Sequence, residues 1–304
     1  MQFLCDEQDE SNDSKTTVQR KDNFNWQLMP FDLKMYTMSF LNISDLMNLK
    51  SINRCTYLMI SHNYQKLKKL NVTDLIISAK KKCNINITIN SKNLNIKNFD
   101  DFVEICKHIN ITGVIYTQNV DLNFLKYIPY NNISSANGAV IWDTKHLNIS
   151  LLVNFLNSFN CQYLQICNTN IIGYGDKIFE SLSNYVKEIV ITEDTYCELS
   201  DKSLYYISKK SSRNNTIGNV IIQCDGAIFT PNGIVDFIKK TNFIPTIGNL
   251  SLRCVSGTKE EFLKILCDNL NEEIQDYSVY GFNVHAFQLI NRPLCIFVKE
   301  FLYN

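Results

Sequence analysis

The sequence predicts an α/β chain in which a short helical module precedes a solenoid of strand–turn–helix units, with one parallel sheet and helices on its convex side. Three observations predict it. Residues 28–58 carry apolar side chains at helical spacing, interrupted by turn and cap residues. From residue 111 onward a pattern of apolar, two residues, apolar, one residue, apolar recurs, with its middle position at Val114, Ala139, Leu164, Ile189, Val220 and Leu250. Its steps of 25 to 31 residues suit units that cannot bury an apolar face alone and must stack. Finally, the 304 residues are 45% apolar and 20% charged, enough to fill a sizeable core.

In chain order, residues 1–25 are expected to form a disordered tail, residues 26–66 the helical module and residues 67–304 the α/β domain. Met29 and Pro30 enter a first helix, where proline's missing N–H gives up no hydrogen bond. Leu33, Met38 and Leu41 supply its apolar face. Ser44 is a good N-cap for a second helix, along which Leu46, Leu49 and Ile52 follow at three-residue spacing. Early strands are expected over 72–78 and 85–90, with a helix over 99–109. Helical patterns at 147–159, 177–185, 200–210, 230–240 and 258–270 then alternate with the recurring strands. Thr258 with Glu261 reads as a capping box, and Thr230 precedes Pro231 at a first helical position. Ile274, Tyr277 and Val279 are expected to add a final unit.

The residue order within the helical module resembles an F-box. Met29 Pro30, Leu33, Thr37 Met38, Phe40 Leu41, Asp45 Leu46 and Ile52 Asn53 Arg54 stand at that family's landmarks, over about a tenth of the chain. The pattern departs at Thr37, Asn53 and Thr56. On the bare residues, an unrelated helical cap is the alternative. The resemblance implies docking on the Skp-type adaptor of a cullin-RING ubiquitin ligase through Met29, Pro30, Leu33, Met38, Leu41, Leu46, Leu49 and Ile52. The ligase chemistry would then belong to other subunits, so the chain would be no enzyme and would need no cofactor.

The recurring frame resembles leucine-rich repeats, LxxLxLxxN, with Asn119, Thr144, Thr169, Asp194, Asp225 and Val255 at the asparagine position. All but Val255 can hydrogen-bond a neighbouring turn. An irregular α/β sheet domain is the alternative for the same periodicity. The degenerate repeats and 38 asparagines are similar to the expanded F-box families of nematodes. In such a frame the strand residues flanking the middle position face outward: Ile115, Val140, Gln165, Val190, Ile221 and Ser251 in one row, Thr117, Trp142, Cys167, Thr192, Gln223 and Arg253 in the next. Val140, Trp142, Asp143, Tyr163, Gln165 and Val190 are the candidate substrate-binding residues, because desolvated aromatics carry much of the energy of an interface.

Lysine plus arginine equals aspartate plus glutamate at 30 each, so no global field draws in nucleic acid or an acidic membrane surface. The lysine clusters at 66–69 and 80–82 read as solvated faces. No run approaches the ~20 apolar residues of a membrane span, and the first residues lack a secretory pattern, so a cytoplasmic or nuclear location is expected. Eleven cysteines without paired CxxC spacing read as small buried hydrophobes. The four histidines are scattered, no phosphate loop, HExxH or GxSxG occurs, and Gly173 with Gly175 reads as a turn, so no catalytic or metal-binding residue is expected. The sequence therefore points to a substrate-recognition subunit that holds an unknown protein substrate. A protein-interaction scaffold, with the helices as a cap, is the alternative.

Overall fold

A computed structural model describes residues 26–80, 84–95, 99–278 and 284–302. The expected tail and Val279 lie outside them. Three helices come first: α1 (Phe31–Ser39), α2 (Ile43–Ile52) and α3 (Arg54–Asn63). Asn42, rather than the expected Ser44, caps α2, its side chain accepting from the Asp45 N–H at 3.0 Å. Asn53 caps α3 in the same way, accepting from the Thr56 N–H at 2.8 Å. In both cases a short side-chain oxygen satisfies an orphan donor of the first turn. Met38, Leu46, Ile60 and Leu67 close a small core belonging to this unit.

The remainder is α/β. It begins with β1 (Leu70–Lys80), the hairpin β2 (Asn84–Ile89) and β3 (Lys92–Asn95), α4 (Phe99–Lys107), β4 (Ile109–Gln118) and the short α5 (Tyr130–Ile133). Units of strand, short strand and helix follow: β5 (Gly138–Trp142), β6 (Leu147–Asn148), α6 (Ile149–Leu156); β7 (Tyr163–Cys167), β8 (Ile171–Ile172), α7 (Asp176–Ser181). Next come β9 (Glu188–Ile191), β10 (Tyr196–Leu199), α8 (Asp201–Lys210); β11 (Asn219–Ile222), β12 (Asp225–Phe229), α9 (Pro231–Lys240). The chain ends with β13 (Gly248–Ser256), α10 (Lys259–Leu270), β14 (Ile274–Ser278), β15 (His285–Leu289) and β16 (Leu294–Leu302).

The large sheet has the order β14-β15-β16-β13-β11-β9-β7-β5-β4-β1-β2-β3. From β1 to β13 the neighbours run parallel in chain order, and β16 adds parallel to β13. Both flanks correct the expectation of a purely parallel sheet, since β2 and β3 at one end and β14 and β15 at the other pair antiparallel. Antiparallel neighbours need only a tight turn, whereas each parallel one requires a crossover. The expectation of one strand per unit is corrected as well: β6 pairs β8, β10 pairs β12, and β12 pairs β13.

Register follows the sequence period over most of its length. Ala139 lies opposite Leu164, Leu164 opposite Ile189, Ile189 opposite Val220 and Val220 opposite Leu250, and Ile296 extends the row. All six side chains are buried. The first copy is shifted by one residue: Ile115, not Val114, faces Ala139. Ile115 and Thr117 are consequently buried, and Tyr116 and Gln118 take the outward places assigned to them. Thr117 carries a buried hydroxyl without a partner among the described residues, an inward polar residue that an apolar frame passes over.

Helices α4, α6, α7, α8, α9 and α10 send Phe102, Leu152, Phe179, Leu204, Phe237 and Phe262 into the core that they share with the inward strand residues. Among the described residues no helix covers the opposite face, where Tyr163, Gln165 and Cys167 of β7 and Glu188 and Val190 of β9 stay half-buried. Acids at the starts of α7 and α8 tie neighbouring units together. Asp176, 2% exposed, accepts from the Ser200 N–H at 3.0 Å and the Ser200 hydroxyl at 2.7 Å, and Asp201 accepts from the Thr230 N–H and hydroxyl at 2.8 and 2.6 Å. Ser200 and Thr230 are the N-caps of α8 and α9, so the first acid of one helix holds the cap of the next. A Cβ at Gly233 would lie 2.2 Å from the Asp201 carboxylate, so this approach requires glycine. The expected ladder after the main strands holds at Thr144 and Thr169, both buried, with the Thr169 hydroxyl donating to the Cys167 carbonyl at 2.8 Å. It is displaced in the other copies: Asn119, Asp194 and Asp225 are exposed, and Val120, Thr195 and Cys224 turn inward instead.

Candidate functional site

Two surfaces present side chains that the fold itself does not use. On the helices, Phe31, Leu33, Tyr36, Phe40 and Ile52 are 48 to 68% exposed. Three short helices around a four-residue core cannot cover so many large apolar groups. Tyr36 and Phe40 meet edge to face, with ring centroids 4.8 Å apart. The sequence-derived docking set divides here. Met38 and Leu46 are fully buried in the small core, Leu41 and Leu49 pack partly against it, Met29 is half-buried, and Pro30, Leu33 and Ile52 are exposed. Met38 and Leu46 are therefore structural, and Phe31, Tyr36 and Phe40 join the exposed set. A single helical stripe could not reveal them, because α1 is apolar on more than one side.

A polar corner joins the helices to the sheet. Lys50 of α2, only 8% exposed, pairs with Glu104 of α4, which also takes Lys107, and the Lys50 ammonium stands 5.2 Å from the centre of the Tyr57 ring. Lys69 donates to Asn132, whose amide donates to the Cys106 carbonyl at 2.8 Å, and the Leu70 N–H donates to the His108 carbonyl at 2.9 Å. The buried apolar residues of the helices and of the sheet fall in two separate clusters, and this corner adds polar contacts between the two parts. Burial raises the Glu104 carboxyl, but Lys107 and Lys50 outweigh it and hold the group below its ordinary range. His108 is buried with neither ring nitrogen partnered among the described residues, and burial, reinforced by Lys50, pushes its imidazole down to about 4.

On the uncovered sheet face, Trp142 is 51% exposed, and Tyr163, Gln165 and Val190 are half-buried. The Tyr163 hydroxyl donates to Gln165, whose amide donates to the Cys167 sulfur at 3.1 Å. Burial raises the Tyr163 phenol, and Glu188, Cys167 and Tyr116 push in the same direction. Val140, offered as a contact residue, is only 8% exposed, because Tyr116 and Gln165 lie opposite it on the two flanking strands. It forms the floor of the face. Asp143 accepts from Gln118 at 3.1 Å and from Asn168, and its backbone adopts a left-handed φ of 52°. Asn119 and Asn168 share that conformation at the ends of the adjoining strands, where short polar side chains tolerate it. Further along the face, Glu193 pairs with Lys299, Asp225 with Arg253 at 2.7 Å, and Glu188 accepts from Asn219 at 3.2 Å. Tyr116, absent from the sequence-derived set, lies on this face because of the one-residue shift in β4.

Among the described residues no group of three or more His, Cys, Asp or Glu side chains could hold a metal ion. Burial raises the thiols of Cys106 and Cys197, and those of Cys161 and Cys224 to about 12, which keeps them protonated and inert at neutral pH. Gly173 has a φ of 119°, and a Cβ at Gly175 would lie 2.4 Å from the Cys197 sulfur, so both glycines serve the connection between β8 and α7. No helix among the described residues is long and apolar enough to cross a membrane. The chain matches no known family model and no curated protein.

Proposed function

We propose that the chain is a non-catalytic substrate-recognition subunit of a Skp-cullin-F-box ubiquitin ligase, in which helices α1 to α3 form a divergent F-box and the sheet domain is a leucine-rich-repeat-like solenoid. The observation that carries this reading is the exposed set Phe31, Leu33, Tyr36, Phe40 and Ile52, which stands on helices with a core of their own. Such side chains gain free energy only when a partner covers them. The partner in this reading is the Skp-type adaptor, and the uncovered sheet face with Trp142 and Tyr163 receives a protein substrate.

Calorimetry of the full chain against a purified Skp-type adaptor tests the reading. Binding is expected, and Leu33→Ala or Ile52→Ala should weaken it by roughly tenfold or more without unfolding the protein, because both residues lie outside the core. No heat of binding from the folded chain at high micromolar concentration overturns the ligase reading and leaves the protein-interaction scaffold.

A further inference from the structure

We infer that the uncovered sheet face binds a proline-rich segment in the polyproline II conformation, seated over Trp142 and Tyr116; this rests on the reading of that face as the substrate surface. Four observations select this chemistry. The first is main-chain saturation: β5 lies between β4 and β7, paired on both sides, so a ligand cannot add to the sheet here as another strand. A bound segment has to lie across side chains instead.

The second is charge. Glu193 is held by Lys299, Asp225 by Arg253, Asp143 by Gln118 and Asn168, and Glu188 by Asn219. Only Glu193 and Asp225 are matched by cations; the amides on Asp143 and Glu188 leave their formal charges in place, so the face disfavours an acidic segment, whereas an uncharged proline-rich one meets no such penalty. The third is the kind of polar group left over. The Trp142 indole N–H and the Tyr116 hydroxyl have no partner among the described residues, whereas the Tyr163 hydroxyl is taken by Gln165. The open groups are donors mounted on aromatic rings. A polyproline II segment presents carbonyl acceptors and flat apolar rings, and each proline lacks an N–H that would need an acceptor.

The fourth is spacing. Trp142 lies opposite Gln118, two residues beyond Tyr116 on the neighbouring strand. With strands ~4.8 Å apart and a rise of ~3.3 Å per residue, the two aromatic Cα atoms are separated by about 8 Å. Residues on one side of a polyproline II helix recur every three positions, about 9 Å. Val140 forms the apolar floor between the aromatic positions. Aromatic-lined grooves of this character are a general solution to proline-rich recognition, because the segment is already extended and loses little conformational entropy on binding.

Only two tryptophans are present, Trp26 and Trp142, so Trp26→Phe leaves a single emitting residue in the proposed site. The full-length Trp26→Phe protein is titrated with an acetylated, amidated nonaproline peptide, with a Gly-Ser peptide and an Ala-Gln peptide of equal length as controls. A saturable change in Trp142 emission with nonaproline alone is expected. Isothermal calorimetry should then show roughly three- to tenfold weaker binding for Tyr116→Phe, the loss of one hydrogen bond, and more than tenfold for Trp142→Ala. No saturable signal up to millimolar nonaproline overturns the proposal, as does equal binding of either control peptide or full affinity in Trp142→Ala. Adaptor binding measured on the same preparation separates this result from the ligase reading: loss of peptide binding with adaptor binding intact removes the ligand assignment alone.

Discussion

Lys50→Met tests the corner that joins the helices to the sheet. Methionine keeps most of the lysine stem's packing and deletes the charge, so the loss is chiefly electrostatic. Removing one partner of a buried ion pair costs roughly 3–5 kcal/mol when nothing compensates. Here Glu104 retains Lys107 and its side chain is 20% exposed, which lowers the expected loss to about 2 kcal/mol. Urea denaturation followed by tryptophan emission is a suitable assay, because Trp26 packs against the helical core and Trp142 sits on the sheet. With a slope of about 3 kcal/mol per molar urea, the midpoint should fall by about 0.7 M. A double-mutant cycle with Glu104→Gln should give a coupling of about 1 kcal/mol or more. A single-variant loss below about 0.5 kcal/mol, or strictly additive effects, refutes the idea that this pair fastens the two parts together.

Ile166→Ala removes a fully buried side chain flanked by Ile141 and Ile191, and should cost about 3 kcal/mol in chemical denaturation; a loss under about 1 kcal/mol would mean that this row is not core. Asp176→Ala strands the Ser200 N–H and the hydroxyls of Ser200 and Ser203, so about 2 kcal/mol should be lost and amide exchange at the start of α8 should accelerate. Unchanged protection there would rule out the proposed cap ladder. The imidazole of His108 falls to about 4 on folding, so the unfolded chain binds the extra proton first. Its contribution is fully present above about pH 6.5 and is lost as the pH falls toward 4, in the same direction as the depressed Glu104. The urea midpoint should therefore drop between pH 7 and 5, and His108→Leu should flatten that part of the profile.

The helical starts were largely legible in the sequence because their signals are local. Thr230 before Pro231 and Thr258 with Glu261 need only their own turn to act, and both cap as expected. The α2 cap was misplaced by two residues because Asn42 and Ser44 are equally good acceptors, and only the path of the chain into the helix selects between them. Tyr116 was missed for a different reason. In β4 the inward place belongs to a polar Thr117, and an amphipathic tyrosine next to it makes the wrong frame look apolar.

By itself, the sequence determined the α/β class, the alternation of main strands and helices from β4 to α10, and the neighbours within the parallel run, since a period of 25 residues or more places Leu164 beside Ala139 without reference to anything distant. The tertiary structure alone decided what depends on residues far apart in the chain. It set β16 against β13 and pairs Glu193 with Lys299, 106 positions away. It also divided the apolar helical residues into buried Met38 and Leu46 and exposed Leu33 and Ile52. Periodicity specifies a stripe, but which part of that stripe meets another surface is fixed by how much neighbouring chain is available to cover it, and three short helices have too little.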